Sequence, residues 1–200
     1  MIFVENSGNS IKSYVPEKYY DRYIETVFNS PVEDVDRGKG YKEIELIEAA
    51  SRTLNSISGS KVIIKVTGRL QFLNIKTFMG GLIKLNAEKN TNWIICSVLD
   101  TNKMKLDSRA FICNVNFLVE LTKNKVFVNT KVSLESVLWL TVEDLYKNGN
   151  IHLIKPKRPF VLKGISGGFG GQYRTGLLWF LYKYARLKLT RYERLFNYVV

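Results

Sequence analysis

The run Val62-Ile63-Ile64 with Val66, followed at once by Thr67-Gly68-Arg69, limits most narrowly what this chain can fold into. A continuous β-branched run fits a strand buried in a sheet and not one with a solvated face. The strand ends near Thr67, and a hydroxyl, a glycine and an arginine close it off. In open α/β sheets ligands gather at the carboxyl ends of strands, so this triplet is a candidate site. Gly68 permits a sharp turn or a close backbone approach, and Arg69 presents a planar fork suited to phosphate or carboxylate. The plainer reading is that Gly68 turns the chain and Arg69 pairs with a surface carboxylate.

Two hundred residues suit one domain with a small appendage, and 46% apolar residues supply a sizeable core. Thirty basic against eighteen acidic residues give a formal charge of +12. That excess favours polyanionic partners: nucleic acid, an anionic membrane face or phosphorylated small molecules. Cys96 and Cys113 each sit in an apolar run, which reads as buried thiols in a reducing compartment, and one histidine without a CxxC argues against a zinc site. No apolar run is long enough to span a bilayer, and Met1-Ile2-Phe3-Val4 lacks the features of a signal peptide, so a cytoplasmic location is expected.

Along the chain, Ile2-Phe3-Val4 reads as a short buried strand running into the polar cluster Glu5-Asn6-Ser7-Gly8-Asn9. A strand so near the first methionine suggests a shortened start. Tyr14 to Phe28 reads as a short helix, and the loop that follows holds Asp34-Val35-Asp36, a DxD pair that would hold a divalent metal only directly after a hydrophobic strand. Tyr41 to Leu54 is the clearest helix, burying Ile44, Ile47, Ala50 and Leu54, with Glu43, Glu45 and Glu48 early enough to complement its dipole. Gly38-Lys39-Gly40 before it would offer backbone N–H groups and a positive charge to a phosphate, and Glu43 would contact sugar hydroxyls or act as an ordinary cap.

Trp93 to Leu99 reads as a second buried strand ending at Asp100, and Asp107-Ser108-Arg109 precedes the apolar run Ala110 to Cys113. Asn116 to Leu121 looks helical, and Val126-Phe127-Val128 is a short strand candidate. Ser133 caps a helix to Tyr146 that buries Val137, Leu138, Leu140, Val142 and Leu145, with Glu135 in its first turn as a helix-stabilising charge or a catalytic base. Ile151 to Ile154 is a last strand, its His152 read as structural. The glycine-rich run Gly164 to Gly171 lacks the residues of a Walker motif and suits a loop closing over substrate. Tyr173 to Val200 mixes aromatics with Arg174, Lys183, Arg186, Lys188, Arg191 and Arg194. Such a helix either lies on an anionic bilayer or packs on the core with a basic back to solvent.

With these elements in order, the chain resembles a family of bacterial glycosyltransferases of lipopolysaccharide and capsular polysaccharide biosynthesis. The resemblance rests on Val4-Glu5-Asn6-Ser7-Gly8, Gly38-Lys39-Gly40-Tyr41 with Glu43 and Glu45, Lys65-Val66-Thr67-Gly68-Arg69, Asp107-Ser108-Arg109 with Phe111, Glu135 with Leu138, and Gly164-Ile165-Ser166-Gly167. It implies an α/β fold: a GT-A-like, Rossmann-like sheet, mixed or mostly parallel, flanked by helices. Residues 1–172 would form this domain and 173–200 a basic aromatic helical tail.

The implied activity is transfer of a sugar from a nucleotide-sugar donor to a glycan or lipid-linked glycan acceptor. By that similarity Lys65, Thr67, Gly68, Arg69, Glu5, Asn6, Gly38, Lys39, Gly40 and Glu43 would line the donor site, with Arg69 at the diphosphate. Ser108, Arg109, Ser166 and Gly167 would meet donor or acceptor, and Glu135 or Asp107 would take the acceptor proton. The family's strand-terminal DxD is absent, which assigns no metal ligand and leaves room for a divalent cation, manganese or magnesium. A peripheral position on the inner face of the plasma membrane follows from the tail. Two other functions fit the totals. One is a basic nucleic-acid-binding module, against which stand the dispersal of the charge and the lack of a known recognition pattern. The other is a truncated, inactive relative acting as a scaffold.

Overall fold

The computed structural model describes residues 2–5, 9–10, 12–22, 24–28, 37–56, 62–67, 70–78, 91–164, 172 and 176–190. The expected elements at Asn6 to Gly8, the Asp34-Asp36 pair, Gly68, Arg69, the loop 165–171 with Ser166 and Gly167, and 191–200 lie outside these residues.

A mixed four-stranded sheet organises the chain, with helices laid against it, as the α/β reading anticipates. Its strands are β3 (Val62–Val66), β5 (Asn92–Asp100), β6 (Lys105–Asn114) and β7 (Ile151–Ile154), in the order β3-β6-β5-β7. The central strand β6 is antiparallel to both neighbours, and β5 runs parallel to β7. The carboxyl ends of β3, β5 and β7 therefore share one edge. A two-stranded parallel pair joins β1 (Ile2–Glu5) to β2 (Ile24–Val27), and an antiparallel pair joins β4 (Leu70–Phe72) to β8 (Leu162–Gly164).

Pleat alternation gives the sheet two covered faces. On one, Ile94, Cys96, Phe111 and Cys113 pack with α1 (Lys39–Ser56), α2 (Val115–Lys123) and α3 (Leu134–Lys147) through Ile44, Phe117, Val137, Leu138 and Val142. On the other, Trp93, Ile95, Ala110 and Ile112 meet Phe78, Phe160 and Leu162. Phe72, Phe78 and Phe160 stand with ring centroids 4.9–5.7 Å apart, close enough for favourable tilted and edge contacts. Covering on both sides is why these strands read as unbroken apolar runs. A fourth helix, α4 (Leu177–Leu189), spans part of the C-terminal region.

Several expectations are corrected. Lys12–Tyr14 and Glu17–Arg22 are 3-10 turns rather than one helix, and the β-branched Ile24, Thr26 and Val27 form β2 against β1. Val126 and Phe127 belong to a 3-10 turn, Asn124–Phe127, with both side chains exposed and only Val128 turned into the core. Helix α1 begins at Lys39, so no acid occupies its first turn. Its carboxylates serve lysines instead: Glu43 holds Lys65, and Glu45 and Glu48 hold Lys125. Ser133 occupies the N-cap position of α3 without a side-chain cap bond, and Leu140 is exposed while Trp139 and Thr141 are buried. His152 is exposed. The two cysteines are buried free thiols, as expected.

Candidate functional site

Alternation along β3 turns Ile63, Lys65 and Thr67 toward the helices. Lys65 stands opposite Phe111 in the ladder, its ammonium 5.7 Å from the ring centroid. That ammonium donates to Glu43 Oε1 of α1 and to the Ser108 carbonyl of β6, and at 3.1 Å to Thr67 Oγ1. Thr67 in turn donates to Glu43 Oε1 at 2.8 Å. Three acceptors thus match the three protons of an ammonium that is 12% exposed.

The neighbouring groups come from an irregular stretch of β6. Cys96 pairs with Phe111, yet Val98 pairs with Leu106, so two steps on β5 answer five on β6 and the strand bulges at Asp107 to Ala110. Bulges re-aim side chains and are common beside sites. Asp107, Ser108 and Arg109 lie within β6, ahead of its apolar run Ala110 to Cys113 as the sequence suggests. Ser108 donates its hydroxyl to Glu135 Oε1 at 2.8 Å, reaching the first turn of α3, where the dipole favours a negative charge. Arg109 grips the carboxylate of buried Asp107 with both arms of its fork, Nε to Oδ1 and Nη2 to Oδ2, each at 2.6 Å. The Arg109 carbonyl accepts from Thr67 N at 2.9 Å, continuing the β3–β6 pairing past the last strand residue.

Glu43, Lys65, Thr67, Asp107, Ser108, Arg109 and Glu135, chosen from four separate stretches of sequence, are therefore brought together at the carboxyl end of β3. The remaining candidates divide. Lys39 and Gly40 form the first turn of α1 behind Gly38, whose φ of +86° suits glycine. Gly40 abuts α3: a Cβ there would lie 3.1 Å from Leu134 N, so this glycine serves helix packing. Glu5 closes β1, paired with Val27, while Asn6, Gly68, Arg69, Ser166 and Gly167 lie outside the described residues.

Sequence reading misses the contribution of α4. The Lys183 ammonium stands 5.7 Å from the Trp179 ring centroid, within electrostatic range of this cluster, and is pushed toward the neutral form first by burial and then by the Arg109 guanidinium. Asp107 opposes that shift and Arg186 adds to it. Arg186 Nη2 donates to the Leu99 carbonyl near the end of β5, and Lys155, just past β7, donates to the carbonyls of Lys188 and Thr190 at the helix end. Helix α4 thus lies across the sheet edge at which strands β5 and β7 finish. The i, i+3 spacing of Lys183 and Arg186 was the available signal, read instead as a solvated or lipid-facing surface. Burial also holds the Cys96 thiol well above its usual range, with the Asp107 carboxylate adding to the effect.

Among the described residues no group of three or more His, Cys, Asp or Glu side chains is placed to hold a metal ion. What fold and cluster define is an α/β protein with a cluster of paired charges at a strand end. No protein-family model, curated protein or solved structure matches the chain. No helix among the described residues is long and apolar enough to cross a membrane.

Proposed function

We propose that this chain is a GT-A-like glycosyltransferase that moves a sugar from a nucleotide-sugar donor to a glycan acceptor, with its donor diphosphate at the carboxyl end of β3. The observation that carries this reading is the charge balance at Lys183: three cations, Lys183, Arg109 and Arg186, act around one carboxylate, Asp107. A partly buried ammonium beside two guanidiniums is stabilised by an anion, and a departing diphosphate is the anion this chemistry creates. Glu135 is the acceptor-side carboxylate. It takes the proton of the acceptor hydroxyl as that oxygen bonds to the anomeric carbon, and the bond from that carbon to the diphosphate breaks. Ser108 orients Glu135, and Asp107 orients Arg109. The test is donor turnover, with water or added glycan as acceptor, followed by NMR across a panel of nucleotide sugars with and without manganese. Glu135→Gln should abolish turnover of the active donor and leave its binding intact. No turnover or binding of any nucleotide sugar would refute the reading.

A second reading has an observation of its own. All three Lys65 acceptors are internal, which fits a polar lock fastening α1 to the sheet in a scaffold protein. In that case the Glu135→Gln variant binds and turns over nothing, as does the parent.

A further inference from the structure

Helix α4 gathers aromatic rings and cations along a single flank. Trp179, Tyr182, Lys183 and Arg186 follow one another at i, i+3, i+4 and i+7, the spacing that lines residues up on one side of a helix. Arg186 ties that flank to the end of β5 through the Leu99 carbonyl, and Lys183 lies within electrostatic range of Arg109 and Asp107. The Trp179 and Tyr182 rings are stacked, with centroids 5.2 Å apart and an interplanar angle of 19°, and the Lys183 ammonium stands 5.7 Å from the Trp179 ring centroid. Trp179 is half-buried whereas Tyr182 is 53% exposed, so the stack ends on a phenol ring open to solvent.

A flat aromatic surface beside cations is complementary to a planar ring that carries an anion. A neutral pyranose fits less well, since its hydroxyls call for carboxylate or amide partners. Helix α4 contains no Asp, Glu, Asn or Gln, and Asp107 is engaged by Arg109. A single-stranded nucleic acid also fits less well, because one stacked pair serves one base and a strand needs a succession of such platforms.

We propose that Trp179 and Tyr182 form the base platform of a nucleotide site, a nucleobase stacking on the open Tyr182 ring while its diphosphate lies among Lys183, Arg109 and Arg186. The platform presupposes the diphosphate placement proposed above and is independent of sugar transfer. Recognition by stacking makes the site tolerant of base identity, since every base has a π-face.

Titration calorimetry of the full chain with inorganic pyrophosphate, UDP, ADP and GDP tests it. The nucleoside diphosphates are expected to bind about tenfold tighter than pyrophosphate, and within about tenfold of one another. Tyr182→Ala should remove that advantage and leave pyrophosphate binding unchanged, at an unchanged circular dichroism spectrum. Tyr182→Phe, which keeps the ring, should bind all the ligands as the parent does. Equal affinity of the parent for pyrophosphate and the nucleoside diphosphates overturns the platform alone and leaves the diphosphate placement standing. So do unchanged nucleoside diphosphate affinities in Tyr182→Ala. No binding of any of these ligands overturns both. A single-stranded oligonucleotide bound more than about tenfold tighter than every nucleoside diphosphate, with a steep salt dependence, also overturns the platform and assigns the face to nucleic acid.

Discussion

Thr67 donates its hydroxyl proton to Glu43 Oε1 at 2.8 Å, sharing that oxygen with the Lys65 ammonium. One oxygen of α1 therefore fixes both polar residues at the end of β3, and the site's frame is a helix-to-strand tie before it is anything else. Removing one partner of a well-buried pair costs about 3–5 kcal/mol, because the other charge stays buried without its counter-ion. With Glu43 a quarter exposed, Glu43→Leu and Lys65→Met are each expected near the lower end, about 3 kcal/mol. The double variant should be less destabilised than the sum of the singles in urea titrations. Additive losses would show that the pair is not coupled.

Lys183 gives the opposite sign. Its pKa is lowered by burial and by Arg109, so the folded state disfavours the charged form. A lysine depressed in this way weakens the fold wherever it is protonated, and that penalty fades as pH rises through its folded pKa. Lys183→Met should therefore raise the melting temperature at neutral pH while weakening any diphosphate ligand about tenfold or more, the worth of one charge-assisted hydrogen bond. A fall in melting temperature would contradict this account of Lys183.

The buried thiols set a pH limit. Burial raises Cys96, with Asp107 adding to it, and burial raises Cys113, with Cys96 adding to it, both from an ordinary value of 9.0. The folded state thus keeps these protons after the unfolded chain releases them. Their contribution is complete below pH 9 and declines above it, by up to about 1.4 kcal/mol per pH unit for each thiol. Urea midpoints measured from about pH 8 to about pH 10 should fall less steeply for Cys96→Ala/Cys113→Ala than for the parent. Native-state thiol labelling should be slow until denaturant is added.

Gly40 is a packing position. A methyl group there would press on Leu134 N at 3.1 Å and Val128 Cγ1 at 3.2 Å, and a backbone nitrogen cannot rotate away. Gly40→Ala should cost about 1–3 kcal/mol despite the better helix propensity of alanine. A neutral or raised melting temperature would show that α1 and α3 separate easily.

How far the sequence discloses this arrangement depends on the range of the forces involved. Strands β3, β5 and β6 are legible because burial on both faces leaves unbroken apolar runs, and α1 and α3 because their apolar spacing repeats locally. Grouping Lys65, Thr67, Ser108, Arg109 and Glu135 was possible from strand-end position and resemblance. Their pairing was not, since the bulge between Leu106 and Phe111 depends on the β5 register. Strand β2 was hidden because Ile24 to Val27 gains its meaning only from pairing with β1. The inward turn of Lys183 was hidden for the same reason: local composition makes a basic helix face look solvated, and only the Asp107–Arg109 pair on another element makes it useful.

Titration calorimetry of nucleoside diphosphates and nucleotide sugars into the parent chain and Lys183→Met addresses most directly the claim that the strand-end cations hold a diphosphate. Saturable binding of at least one nucleotide sugar, weakened about tenfold or more in the folded variant, is the expected result. Equal heats for parent and variant, or no binding by the parent to any of the ligands, would contradict it.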